Sequence, residues 1–471
     1  MRRLTLVAAA AAISGCAAGP DYKRPAVDLP VSWKLEAPWR TGAPADAADK
    51  GDWWKAFGDA QLDALEAQAM KDSPALAIAA ARLAQARATV TATSAGLFPS
   101  LSLGSRDQRL RISANRPLAN YSSPKSSTVQ NDFTLSANAS YEADLAGRVR
   151  RSVEGAKASA QQSAADLANT RLMVSAELAS DWYGLVTLDA SLDVLDRSIA
   201  LQRKALAFVT DRHDLGVGTG LEVAQQQALL DNTLTQVDVL KRQRAQFEHA
   251  IATLVGVAAP GFSIAPVKRD LQPPAIPLGV PSDLLQRRPD VASAERAMAA
   301  ANAQIGVATA AFYPSVMLLP SLGEESRVLG TLFDAPSLVW SIGVSATQTL
   351  FDAGRTRANV DFARAGYDAS VATYRRTVLV AMQEVEDGIT GVASLDRATA
   401  QAQRAVDSAQ RVLDMADARY QGGVATYLDV ITAQQSLLSA QLQAAQLAGQ
   451  RQLAATALVK ALGGGWQADL R

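Results

Sequence analysis

Two stretches of equal length, 125–259 and 337–471, contain no proline, although the 471-residue chain has 19. Proline inside a helix removes a hydrogen bond and clashes with the preceding turn, so its absence permits helices far above the usual length. The prolines gather elsewhere, between Pro20 and Pro44 and in a connector from Pro260 to Pro281 that also holds Pro266, Pro273, Pro274 and Pro277. Both read as extended linkers. The proline-free stretches also resemble each other. Arg212-His213-Asp214-Leu215-Gly216-Val217-Gly218-Thr219-Gly220-Leu221-Glu222-Val223 matches Arg419-Tyr420-Gln421-Gly422-Gly423-Val424-Ala425-Thr426-Tyr427-Leu428-Asp429-Val430, 207 residues on. Gly147-Arg148 matches Gly354-Arg355, and Gly256 matches Gly463, at the same spacing. Upstream, Phe98-Pro99-Ser100 matches Tyr313-Pro314-Ser315 at a spacing of 215. The chain is therefore an internal duplication whose first copy is longer between Phe98 and Gly147. The polar stretch 104–130, with Pro117 and Pro124, reads as the longer loop.

Each copy has one order of elements. A helix comes first, over about 59–95 and about 282–311. Alternating segments follow: Phe133, Leu135, Ala137, Ala139 and Tyr141 alternate with polar residues, as do Trp340, Ile342, Val344 and Ala346. That period of two is the signature of a strand. Weaker partners lie at Leu101 and Leu103 and at Val316, Leu318 and Leu322, giving a hairpin per copy. A soluble sheet with one wet face and a membrane β-barrel fit this pattern equally. A helix of some 60 residues then runs over about 148–210, with Leu185, Leu188, Leu192, Leu195, Ile199, Leu206 and Val209 along one seam. Its counterpart runs over about 355–418, with Val392, Leu395, Val406 and Leu413. Each turns at the glycine motif and returns over 220–254 and 426–461. Four strands cannot close a barrel in lipid, where open edges are not tolerated, so a membrane role requires an oligomer. Three copies would supply twelve strands.

The N-terminus carries Arg2 and Arg3, a short apolar run and Ile13-Ser14-Gly15-Cys16, a bacterial secretory signal over 1–15 ending in a lipobox-like motif. Cys16 is the only cysteine, so no intrachain disulfide framework exists. Acylated there, the mature chain lies outside the cytoplasm on a membrane. Ala17 follows, not the Asp that typically retains bacterial lipoproteins in the inner membrane, which favours the outer one. Lys and Arg equal Asp and Glu at 46 each, which argues against an electrostatic grip on nucleic acid. Two histidines leave few ligands for a metal. Nucleophile motifs and phosphate loops are lacking, so an enzyme is disfavoured.

Four motifs in order carry a resemblance: Cys16-Ala17-Ala18-Gly19-Pro20-Asp21-Tyr22-Lys23-Arg24-Pro25; Asp52-Trp53-Trp54-Lys55-Ala56-Phe57 with Leu62 and Leu65; Leu284-Leu285-Gln286-Arg287-Arg288-Pro289-Asp290-Val291 with Ala294-Glu295; and Ala300-Ala301-Asn302-Ala303-Gln304-Ile305-Gly306. The mature chain resembles the outer membrane factor family, the TolC-like channels, in its OprM/NodT-like lipoprotein branch. The resemblance implies a mixed, mainly α fold. It also implies a homotrimer with one twelve-stranded membrane β-barrel, four strands per chain, a long periplasmic α-helical barrel and a small equatorial domain. The chain then divides into an N-terminal linker and equatorial segment (16–58), a first repeat (59–259), the proline-rich connector (260–281) and a second repeat with a C-terminal equatorial segment (282–471). The implied function is the passive outer-membrane exit duct of a tripartite efflux pump. It is engaged by a periplasmic membrane-fusion adaptor and an inner-membrane transporter of the resistance-nodulation-division type. No cofactor is implied beyond the lipid on Cys16, and no catalytic residue or metal.

By the same resemblance, Gly216, Val217, Thr219 and Leu221, with Gly423, Val424, Thr426 and Leu428, form the adaptor-docking tips; the alternative is that they only cap helices. Glu222, Asp429, Arg419 and Tyr420 are candidates for the periplasmic gate; solvated helix faces are the alternative. Ile431-Thr432-Ala433-Gln434 departs from the Leu-Asp-Ala-Gln of many relatives, which leaves the acidic ring's position open. His213 is a pH sensor or an exposed helix-end residue, and Trp53-Trp54 anchor a membrane interface or pack in the equatorial domain. Competing functions are a periplasm-spanning structural lipoprotein without a pore and a type I secretion duct for proteins.

Overall fold

The computed structural model describes residues 17–25, 51–111, 113, 129–267, 273 and 288–464. The signal 1–15, the acylation candidate Cys16, most of the 260–281 connector and Leu284 to Arg287 lie outside the described residues.

The element order is α1 (Ala60–Asp72), α2 (Pro74–Ser94), β1 (Ser100–Arg111), β2 (Val129–Ala143), α3 (Arg148–Asp214), α4 (Gly220–Leu254), α5 (Pro289–Ala310), β3 (Ser315–Ser326), β4 (Leu338–Thr347), α6 (Arg355–Gln421) and α7 (Tyr427–Ala461). The duplication holds to the residue in the helices. α3 and α6 are each 67 residues long, and α4 and α7 are each 35. At 1.5 Å per residue the long helices extend roughly 100 Å. Two expectations are corrected, on the first helix and on the first-copy loop. The first helix is two, because Pro74 opens α2 at the position where a missing N–H costs nothing, and Ser73 is extended. Of its counterpart, expected over about 282–311, Pro289–Ala310 is helix, and residues 281–287 lie outside the described residues. Residues 104–111 and 129–130 are strand, not loop. The longer first copy arises partly in β2 itself, 15 residues against 10 in β4.

The chain forms two compact units. One holds Met1–Pro25, Leu83–Gln162 and Ala294–Tyr374, and it contains the sheet, ordered β1-β2-β3-β4 and antiparallel throughout. The other holds Ala26–Arg82, Ser163–Ser293 and Arg375–Arg471. Its core packs Trp53, Trp54 and Phe57 against Leu62, Leu178, Trp182 and Tyr183. Trp53 donates to Ser175 Oγ at 2.9 Å, and Trp182 donates to Asp59 Oδ2 at 2.7 Å. Asp59 also caps α1 through its other oxygen. The tandem tryptophans are thus core residues, and the Trp53 N–H is satisfied within that core. Among the described residues no helix is long and apolar enough to cross a membrane.

Candidate functional site

Two places combine chemistry with exposure: the sheet and the helix-hairpin turns. In the sheet, register decides which residues share a face. Leu101 opposes Ala139, and Leu103 opposes Ala137. Ala137 opposes Leu322, and Tyr141 opposes Leu318. Leu318 then opposes Val344, Pro320 opposes Ile342, and Leu322 opposes Trp340. One face is therefore an apolar band across all four strands, with Trp340 69% and Ile342 78% exposed. The other face is mainly polar, interrupted by Met317, Leu319 and Val339. Ser100 bonds Ser140 at 2.8 Å, Ser321 bonds Ser341 at 2.9 Å, and Gln108 donates to Asp132 at 2.8 Å. From Ser105 to Arg109 the residues of β1 are polar on both faces, which is why this segment reads as a loop. The outer edges of β1 and β4 have no neighbouring strand in the sheet. An apolar outside, a polar inside and two open edges define one sector of a closed membrane barrel.

The two turns share one backbone. Gly216 (φ 74°) donates to His213 O, and Val217 donates to Arg212 O. Gly423 (φ 70°) donates to Tyr420 O, and Val424 donates to Arg419 O. This pair of bonds closes a helix through a left-handed residue, a conformation glycine adopts without penalty. Each return helix then opens on a threonine. Glu222 N donates to Thr219 Oγ1, and Thr219 N donates to Glu222 Oε2. Thr426 donates to Asp429 Oδ2 from both its N and its Oγ1, at 2.9 Å each. Glu222 and Asp429 are therefore helix-capping carboxylates. Leu215, Val217 and Leu221 on the first turn, with Val424 and Leu428 on the second, stand exposed. His213 is exposed beside Asp214, 3.4 Å away.

Between the turns lies a buried cluster. The rings of Tyr420 and Tyr427 are 5.1 Å apart. Tyr427 donates to Gln226 Oε1 at 2.7 Å, and the Arg212 guanidinium lies over the Tyr420 ring at 5.2 Å. Burial first, and then the negative charge of Glu222, hold the Tyr420 phenol above its usual range. Arg419 is exposed and does not join the cluster's ring contacts. Of the four gate candidates only Tyr420 enters the cluster's core. Arg212, Gln226 and Tyr427 complete the cluster, and the sequence marks Arg212 only as the counterpart of Arg419. Among the described residues no group of three or more His, Cys, Asp or Glu could hold a metal ion.

A barrel sector joined to long paired helices is the fold of an outer-membrane channel. The sequence model of the family described as outer membrane efflux protein matches residues 65–257 and 280–464, and the chain belongs to that family. It is 32% identical over 470 residues to the pyoverdine export outer membrane protein OpmQ of Pseudomonas aeruginosa, covering 100% of this chain and 98% of that one. It is 31% identical over 469 residues to the antibiotic efflux pump outer membrane protein ArpC of Pseudomonas putida, covering 98% and 95%. The solved structure of the outer-membrane channel OprN superposes with a TM-score of 0.87 at 28% identity, covering 96% of this chain and 100% of that one.

Proposed function

We propose that the protein is the passive exit duct of a tripartite efflux pump, a trimer in the outer membrane whose helices extend into the periplasm. The observation that carries this reading is the two-faced sheet with two open edges, which supports a pore over a pore-free tether. The exposed apolar residues of the turns, Val217, Leu221, Val424 and Leu428, serve as docking points for a periplasmic adaptor, with a transporter of the resistance-nodulation-division type beneath. Tyr420 with Arg212 is the stronger gate element. Glu222 and Asp429 combine capping with negative charge near the mouth, where three copies would repel one another and attract cations. Cys16 carries the lipid. The relatives' names include an exporter of pyoverdine and a pump for antibiotics, so export of small organic molecules is the favoured cargo class.

Conductance of the purified protein in a planar bilayer tests the duct. Discrete channels are expected. Glu222→Ala with Asp429→Ala should open them further or more often if these acids gate. Unchanged openings move the gate to the tyrosine cluster. Correctly assembled trimers that pass no current would overturn the pore.

A further inference from the structure

Residues Ala17–Pro25 have no regular secondary structure, yet their polar contacts are dense. Ala18 N donates to Ala146 O at 2.8 Å. The buried Arg151 guanidinium on α3 donates to Ala18 O, to Gly19 O and to Asp21 Oδ1, the last at 2.8 Å. Asn302 on α5, also buried, donates to Pro20 O at 2.9 Å. Tyr22 donates to Glu295 at 2.9 Å, and Arg24 reaches Tyr374 Oη on α6 through two nitrogens. The approach is as close as backbone allows. Gly19 (φ 87°) faces Gly306 so tightly that a Cβ on it would come within 2.5 Å of Gly306 Cα. A Cβ on Gly147 would come within 2.7 Å of Ala17 Cα.

The duplication supplies an internal control. At the repeat spacings, Arg151 corresponds to Ala358, Glu295 to Ala80, Asn302 to Arg87, Gly306 to Thr91 and Tyr374 to Leu167. The same helices thus form in the other copy without any of the gripping residues, so the fold itself does not require them. Their common feature is the segment they hold.

We propose that Ala17–Pro25 is a strap, that α3, α5 and α6 carry a groove specialised for it, and that Arg151 and Gly306 are the positioning residues. The strap enters at Ala146–Gly147, just past the end of β2, where the apolar band of Tyr141 and Val316 begins. It therefore holds the lipid-bearing end beside the sheet's inner rim, a consequence that rests on acylation of Cys16.

The counterpart residues give variants that the helices already tolerate: Arg151→Ala and Gly306→Thr. In the membrane-embedded full chain, trypsin should cut wild type slowly between Lys23 and Arg24. Either variant should be cut about tenfold faster or more, because cleavage follows the population of the opened strap. Trimers on unheated gels should persist. Cells fed a diazirine-bearing fatty acid report the second consequence. Wild-type crosslinks should map to the end of β2 and the start of β3, and the double variant should scatter them. Equal cleavage in variants and wild type overturns the strap. Faster cleavage with unchanged crosslinks overturns the positioning. Intact-mass measurement of Cys16 separates these from the lipid: an unacylated wild-type chain removes the lipid reading alone, while the cleavage result still decides the strap.

Discussion

The two copies of the repeat have long and return helices of identical length but handle the same contacts differently. Arg244 pairs with Asp189, and 207 residues on Arg451 pairs with Asp396. In the first copy the pair is enclosed, with the Asp189 side chain 3% exposed; in the second, Asp396 is 46% exposed. The first pair has also recruited neighbours. Asp189 accepts from Val267 N, Arg244 donates to Ile264 O and to Glu248, and Glu248 accepts from Ile264 N. In the first copy the shared helix-to-helix contact also clasps residues 262–267. The turns diverge in the opposite sense. There the second copy is elaborated, with Tyr420 and Tyr427 where the first has His213 and Gly220, and the first copy contributes Arg212 and Gln226 as their partners. Duplication kept the backbone and assigned the clasp to one copy and the aromatic centre to the other.

Removing one member of each ion pair breaks this comparison most sharply. Asp189→Ala takes the acceptor from Arg244 Nε and from Val267 N inside the clasp and should cost about 3 kcal/mol. Asp396→Ala should cost under about 1 kcal/mol. Denaturant midpoints followed by helical circular dichroism check both, and equal losses would show that the clasp is no stronger than its counterpart.

The first copy also buries Glu66 completely, with neither carboxylate oxygen hydrogen-bonded. Burial, then the charges of Asp63 and Asp52, push it up to about 9. Its folded pKa lies above its unfolded value, so the unfolded chain releases the proton first. Stability from this group therefore falls as pH rises from about 4.5 to about 9 and is level outside that window. Glu66→Leu should raise the unfolding midpoint more at pH 8 than at pH 5. A gain independent of pH would mean that Glu66 does not titrate in this range.

Smaller effects test the turns. Tyr427→Phe leaves the buried Gln226 amide short of a partner and should cost about 1–3 kcal/mol. It should also raise channel open probability if the cluster gates. Gly220→Ala, its counterpart, should do neither. Thr219→Ala and Thr426→Ala should each cost about 1 kcal/mol through the lost caps. A clear difference between them would show that the two turns are not equivalent even in backbone.

The sequence was most readable where one physical constraint acts over many residues. Absence of proline and an unbroken seam through Leu185, Leu195 and Ile199 located the long helices to within a few residues, and alternation located β2 and β4. It was least readable where two environments overlap. Arg106, Gln108 and Arg109 lie where the apolar band has ended, so neither face of that strand carries the period of two. At the turns, the Gly and Thr positions follow from local backbone needs and stood out in the motif. The partner of Tyr420 did not, because Arg212 meets it only through tertiary packing, and the resemblance pointed to Arg419, a residue adjacent in sequence whose side chain is solvent-exposed.

The unpaired margins of β1 and β4 have a genetic consequence. A chain that cannot satisfy its own edges in lipid must share every pore with other copies. A proline on the β1 edge would therefore spoil not only its own molecule but each assembly it joins. Such an allele should act dominantly when expressed beside the wild type, whereas a chain lacking the whole sheet, unable to join, should be recessive.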